Sequence, residues 1–212
     1  MTASGKLIVL EGIDGSGKTT QARRLHEHLK RRGVLNALFR EPGGTPLGEA
    51  VRKILLARDG FTGGIGEATE FLLFAAARSE LARLILTPLR EQGVTVLLDR
   101  FGLSSVAYQG YGHGLDLHFI KQVNERAAAG VQPDLTLLLD LEVEAALSRL
   151  QRGFDRIERN GRDFFERVRQ GYLVEARENP TRIRVINAAK DEEAVFEEVC
   201  IAIEGCLGFT ID

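Results

Sequence analysis

The chain has 212 residues, with 28 Lys+Arg against 30 Asp+Glu, 44% hydrophobic residues, 23 Gly and 2 Cys; a chain of this length buries roughly 70% of its unfolded surface without needing a disulfide or structural metal. A formal charge of −2 lacks the basic excess of a duplex nucleic-acid binder, so nucleic acid is not expected as a partner and any anion site has to be local. The longest apolar run, Phe71 to Ala77, falls far short of the ~20 residues of a bilayer span, so no membrane partner is expected and the cytoplasm is the expected location.

Short β-rich runs alternate with longer stretches of helical period, the pattern of crossover units on a parallel sheet. Lys6 to Glu11 reads as a buried strand ending in a Gly-rich turn, after which Ala22, Leu25 and Leu29 recur at helical spacing until Gly33. Ala37 to Arg40 is the next strand, followed by a Pro-Gly-Gly loop and a short helix over Leu47 to Ala57. Glu67 to Gln92 is helical, with a break predicted near Pro88. Val94 to Leu98 and Leu135 to Leu139 are apolar runs suited to central strands covered on both faces. Between them lie helices over Ser104 to Tyr111 and Leu117 to Ala129. Glu142 to Leu150 and Phe164 to Arg177 are helices flanking an Arg-rich segment, Ile183 to Ile186 is a last strand, and Glu192 to Leu207 closes the chain as a helix. Five strands with helices on both faces make one three-layer α/β domain over 1–212. Cys200 and Cys206 read as helix packing residues, and His26, His28 and His118 as helix-surface residues.

Gly12-Ile13-Asp14-Gly15-Ser16-Gly17-Lys18-Thr19 is Gly, four residues, then Gly-Lys-Thr, and it follows the first strand and opens the first helix. In that setting backbone N–H groups face the β-phosphate, Lys18 reaches β and γ oxygens, and the Thr19 hydroxyl serves a Mg²⁺ ion. Asp99-Arg100 follows the strand Val94 to Leu98, at the sheet edge where open α/β proteins bind ligands. There Asp99 can hold a metal-bound water and Arg100 can reach a transferring phosphoryl group. Asp99-Arg100-Phe101-Gly102 also fits the Asp-x-x-Gly element of GTPase switches, but no Asn-Lys-x-Asp guanine-reading motif is present. Taken alone, Phe74 reads as core, Arg40 as a phosphate clamp at a strand end or a surface Arg, Tyr108 as a site or a packing residue, and the Arg149-to-Arg162 run as a lid or a solvated charged helix.

Several segments together resemble the thymidylate kinase family, P-loop enzymes that phosphorylate dTMP with ATP. They are Glu11 to Thr20, Arg40-Glu41-Pro42-Gly43-Gly44-Thr45, Phe74 to Arg78, Asp99-Arg100-Phe101 with Ser104-Ser105 and Ala107-Tyr108-Gln109-Gly110, and Asp155-Arg156-Ile157-Glu158 with Phe164 to Arg169. Their order and spacing agree with the family from residue 6 to about residue 175. The resemblance implies a nucleoside-monophosphate-kinase fold with a five-stranded parallel core, a short lid at about 149–162, and a homodimer. It implies that Gly12 to Thr20 bind ATP, that Thr19 and Asp99 serve the Mg²⁺, and that Lys18, Arg100 and a lid Arg, Arg152, stabilise the transferring group.

For the acceptor it implies that Arg40 clamps the monophosphate, Phe74 stacks on thymine and Arg78 reads a base carbonyl. Ser105 helps read the base, Tyr108 lies against C2′, Gln109 adds a polar contact, Asp14 receives the 3′-hydroxyl and Asp155 closes over the nucleoside. Three positions depart from the family: Ala77 replaces an acid, His113 stands where Arg is common, and the lid is about two residues shorter. Altered base preference within the same kinase class, or a regulator that binds nucleotide without turnover, are the alternatives.

Overall fold

The computed structural model describes residues 4–57, 61–150 and 156–208. Strands β1 (Leu7–Glu11), β2 (Asn36–Arg40), β3 (Thr95–Asp99), β4 (Leu135–Asp140) and β5 (Ile183–Asn187) form one parallel sheet in the order β2-β3-β1-β4-β5. Alternation along β1 divides the core. Leu7 and Val9 pack with Leu81, Ala82 and Leu86, whereas Ile8 and Leu10 join Leu25 and Leu29 in the larger core.

The helices are α1 (Lys18–Arg31), α2 (Pro46–Leu55), α3 (Glu67–Leu81), α4 (Thr87–Glu91), α5 (Gly102–Ser105), α6 (Leu117–Ala127), α7 (Val143–Ser148), α8 (Arg162–Glu178) and α9 (Glu192–Leu207). Local chemistry sets their ends. The Thr45 hydroxyl accepts from Gly48 N–H at 3.0 Å and Pro46 starts α2; Asp191 caps α9 through Ala194 N–H at 2.9 Å.

The break expected near Pro88 does not occur. Ala82–Leu86 form a π-helical turn leading directly into α4, with Thr87 N–H donating to Ala82 O. Proline lacks an N–H and its ring crowds the carbonyl four residues back, so a locally widened turn carries the helix past it. The expected helix over Ser104 to Tyr111 likewise starts earlier, at Gly102, and continues as π-helix over Val106–Gly112. His26 and His28 are half-buried rather than on the surface: His26 Nδ1 lies 2.7 Å from Asn36 Oδ1, and the His28 ring packs edge-on to Phe196 of α9 at 5.6 Å. Cys200 and Cys206 are half-buried against the core, as expected. No helix among the described residues is long and apolar enough to cross a membrane.

The topology places the site. From β1 the chain passes towards β2, while from its neighbour β4 it passes the other way to β5. A crevice therefore opens at the carboxyl ends of β1 and β4.

Candidate active site

The P-loop occupies that crevice. Gly12 has φ +142° and a Cβ there would meet Leu139 O at 2.5 Å; Gly15 has φ +83° and a Cβ there would meet the Ala146 carbonyl of α7 at 2.1 Å. Only glycine lets the loop lie this close to β4 and α7. Ser16 N–H donates to Ile13 O at 3.2 Å, and α1 starts from Gly17 with no acidic residue in its first turn, so its positive end is free to face an anion. The Lys18 ammonium is buried and donates to Ile13 O at 2.7 Å and Ser16 Oγ at 3.4 Å. Burial, and then Arg100, bring its pKa down to about 8. Thr20 is exposed one residue beyond Thr19.

Thr19 Oγ1 donates to Asp99 Oδ2 at 2.5 Å across the tip of the sheet. Two hard oxygen donors beside a phosphate-binding loop fit a divalent cation such as Mg²⁺. A trough of about 910 Å³ runs over Asp14–Arg23, Arg40, Asp99 and Arg100 to Arg149, Ala188 and Lys190. Arg149 donates through both terminal nitrogens to Ala188 O at 3.3 Å.

Arg100 has φ +72°, a left-handed conformation that costs a non-glycine residue roughly 1–3 kcal/mol and is held only where neighbours enforce it. Its Nη2 donates to Asp14 Oδ1 at 2.7 Å and to the Tyr108 hydroxyl at 3.1 Å. Tyr108 in turn donates to Asp14 Oδ2 at 2.8 Å. Burial raises the pKa of Asp14, but Arg100, Lys18 and Tyr108 outweigh it and bring it down to about 2. Behind Arg100 stands Glu11, whose pKa burial raises against the pull of Arg100.

A smaller cavity of about 90 Å³ adjoins Asp14 and Arg100, lined by Phe74, Arg78, Ser105, Tyr108, Gln109 and Ile157. Residues four apart on α3 share a face, which brings Phe74 and Arg78 to one wall. Arg78, 1% exposed, donates to both oxygens of buried Glu41, to Asn124 Oδ1 at 2.5 Å and to Ser105 Oγ at 2.9 Å. Burial raises the pKa of Glu41 against the opposing pull of Arg78. Gln109 Nε2 donates to buried Glu70 at 2.8 Å, and Glu70 also receives Arg156. Burial raises the Glu70 pKa, but His113, Arg156 and Gln109 more than offset it.

The structure thus gathers Asp14, Lys18, Thr19, Asp99 and Arg100 at one point, and Phe74, Arg78, Ser105, Tyr108 and Gln109 around another. Arg40 lines the trough but is half exposed and pairs with Glu49 at 3.1 Å. Arg152 and Asp155 lie outside the described residues. Within the basic run, Arg149 reaches the trough, whereas Arg156 turns to Leu55 O at 3.1 Å and to Glu70, and Arg162 pairs on the surface with Glu144 and Glu166 at 3.7 Å. Ala77 is fully buried beside Val51 and Leu55. His113 lies 3.5 Å from Glu70 and packs on Phe164 at 4.7 Å.

Sequence reasoning gave no role to Glu11, Glu41 and Ser104, although they lie in the matching segments, and missed Arg52, Glu70, Asn124, Tyr172 and Lys190. An acid closing an otherwise apolar strand could have flagged Glu11. Arg52 shares a helix with no recognisable ligand pattern, and Tyr172 is brought to the site by a helix 161 residues from Glu11; neither carries a local signal.

A family model described as thymidylate kinase matches residues 10–199. The chain is 47% identical over 206 residues to the thymidylate kinase of Pelotomaculum thermopropionicum, covering 96% of this chain and 94% of that one. It is 52% identical over 190 residues to that of Desulforudis audaxviator, covering 89% and 85%. Among solved structures, the thymidylate kinase from Ehrlichia chaffeensis superposes with a TM-score of 0.75 at 35% identity, over 92% of this chain and 97% of that one.

Proposed function

The chain belongs to the thymidylate kinase family, and from that premise we propose how its own residues carry out the reaction. The protein phosphorylates dTMP to dTDP, and the family takes the phosphoryl group from ATP with a divalent metal. The observation that carries the residue assignment is that Asp14 and Arg100 line both the trough and the small cavity. Donor and acceptor phosphates therefore meet between them.

An oxygen of the dTMP phosphate attacks the γ-phosphorus, the bond to the β–γ bridging oxygen breaks, and the electron pair leaves with ADP. Charge spreads over the transferring group, so the need is for fixed positive charge. The amides of Gly12 to Thr20 hold the β-phosphate, Lys18 spans β and γ oxygens, and Arg100 bridges towards the acceptor phosphate with Arg40 on its far side. Thr19 and Asp99 would hold a Mg²⁺ ion, which would supply positive charge to the donor phosphates. Arg152 completes the cation set from the lid, 149–162, whose closure excludes water and keeps transfer ahead of hydrolysis.

Phe74 stacks on the base, Arg78 and Ser105 read its polar edge, and Gln109 adds a polar contact. Tyr108 crowds the position of a 2′-hydroxyl, Asp14 receives the 3′-hydroxyl and Asp155 covers the nucleoside. The chain works as one kinase domain in the cytoplasm, without nucleic acid, and as a homodimer. The exposed Leu72 of α3 and Phe119 of α6, beside the Phe71–Phe119 edge contact, support a second copy seated on those helices.

ADP release from ATP and Mg²⁺ with separate dTMP, dUMP, dCMP, dGMP, dAMP and UMP acceptors tests this reading. Turnover led by dTMP, lost in EDTA and restored by Mg²⁺, is expected. ATP binding with no acceptor-dependent turnover would reject the assignment. Sedimentation of the native chain at twice the monomer mass is expected for the dimer.

A further inference from the structure

Glu11 is the last residue of β1, is 0% exposed, and touches neither cavity. Its side chain is nevertheless the most heavily hydrogen-bonded carboxylate behind the site. Oε1 accepts from Phe101 N–H at 2.8 Å and Ser104 N–H at 3.2 Å. Oε2 accepts from the Ser104 hydroxyl at 2.6 Å and the Tyr172 hydroxyl at 2.8 Å. A carboxylate offers about four lone-pair sites, and here a donor stands at each. The acid form would have to set its O–H against one of those donors, so these four contacts favour the anion against the burial that raises the Glu11 pKa.

The two hydroxyls that donate to Glu11 also face Arg100. Arg100 Nη1 donates to Ser104 Oγ at 3.0 Å and to the Tyr172 hydroxyl at 3.2 Å, as well as to Gly12 O at 2.9 Å. A hydroxyl that gives its proton to Glu11 has its lone pairs turned to the guanidinium. Two relays therefore run from a buried negative charge to Nη1, while Nη2 is left at the cavity mouth with Asp14 and Tyr108. Glu11 acts on the backbone too. It holds the N–H of Phe101, the residue after the left-handed Arg100, and it supplies the N-terminal cap of α5, which has no side-chain cap of its own.

We infer that Glu11 is the positioning residue for Arg100: through Ser104, Tyr172 and the Phe101 amide it fixes one edge of the guanidinium so that the other edge is aimed between the two phosphates. The inference rests on the reading of Arg100 as a phosphate-binding group. Asp14 neutralises Arg100 from the front and sits where ligands arrive, whereas Glu11 is sealed from solvent. Its restraint therefore persists when the contacts at the cavity mouth change.

The test is a double-mutant cycle on the full chain, measuring dTMP-dependent ADP release for the wild type, Glu11→Gln, Arg100→Lys and the pair, with kcat expressed per folded molecule. Weakening hydrogen bonds to a charged group supports a fall in kcat of roughly 10- to 100-fold for Glu11→Gln, with KM for ATP changed less than about twofold because the P-loop is untouched. In the Arg100→Lys background the same substitution is expected to cost less than about threefold, because the group it positions is gone.

Wild-type kcat per folded molecule in Glu11→Gln would overturn the inference, and so would two losses that simply multiply. If Arg100→Lys itself keeps full kcat, the phosphate role of Arg100 fails and the positioning role falls with it, an outcome distinct from a disabled Arg100→Lys beside an unimpaired Glu11→Gln. Should Glu11→Gln not fold, the cycle is run with Tyr172→Phe, which cuts one relay. A fall in kcat that vanishes in the Arg100→Lys background then supports the inference, and an unchanged kcat overturns it.

Discussion

The two ends of the proposed active site, one for phosphate and one for the base, are built on different physical principles. At the phosphate end a wide trough, about 910 Å³, is walled by backbone amides, a helix N-terminus and cations. At the base end a cavity of about 90 Å³ is walled by side chains from α2–α3, α5 and the π-helical segment after it, locked by the buried Glu41–Arg78 pair. Backbone amides recognise any phosphate, provided the loop keeps the glycines that let it lie there. A buried network of side chains reads one ligand, and it fails as a unit when one member is removed. Asp14, Glu41, Arg52 and Arg100 line both, and there Asp14 and Arg100 are bonded to each other and to the Tyr108 hydroxyl.

The largest expected effect at the phosphate end is that of Lys18→Ala, which removes the cation proposed to span the β and γ oxygens. Transfer should fall by about 10³-fold or more with the melting temperature little changed, measured by coupled ADP release and thermal unfolding; a modest loss would break the proposed division of labour. At the base end Arg78→Ala leaves Glu41 buried without its partner. It should cost roughly 3–5 kcal/mol of stability together with dTMP affinity, read by urea unfolding and dTMP titration. Loss of affinity at unchanged stability would show that the pair contributes recognition without locking the cavity.

Tyr108→Phe removes a hydroxyl shared by Asp14 and Arg100 and should lower kcat/KM for dTMP about tenfold, the scale of hydrogen bonds to charged groups. A change confined to one substrate would assign the hydroxyl to one end only. The smallest effect concerns pH. With the Lys18 pKa at about 8 in the free protein, the ammonium is charged below that value and neutral above it, and an anionic ligand favours the charged form. ATP affinity should therefore weaken by up to tenfold per pH unit above about 8, with proton uptake on binding there, measured by calorimetry in buffers of different ionisation enthalpy. The dTMP affinity should change far less above that pH, because Glu41 at the base end, whose pKa burial raises to about 7, is already mostly ionised there.

Legibility in the sequence follows the same division. The P-loop was readable because its chemistry is carried by adjacent residues: a strand, glycines that permit left-handed backbone, then Lys18 and Thr19 on the first turn of a helix. Phe74, Arg78, Ser105 and Tyr108 were readable as acceptor-site residues through the family resemblance. The uninterrupted passage through Pro88 was not, because it depends on a π-turn that packing stabilises against the local preference of proline. The partners of Arg78 and Arg100 were not either: Glu41 and Asn124 come from 37 and 46 residues away from Arg78, and Tyr172 from 72 residues away from Arg100.

By itself, then, the sequence determined the parallel α/β architecture, the phosphate-binding loop and the family, because hydrophobic period and turn chemistry act over a few residues. Tertiary structure decided which charges are paired and buried, which hydroxyls stand between Glu11 and Arg100, and that the trough and the small cavity share lining residues. Those depend on strand order, which brings β1, β3 and α8 together only once the sheet has formed.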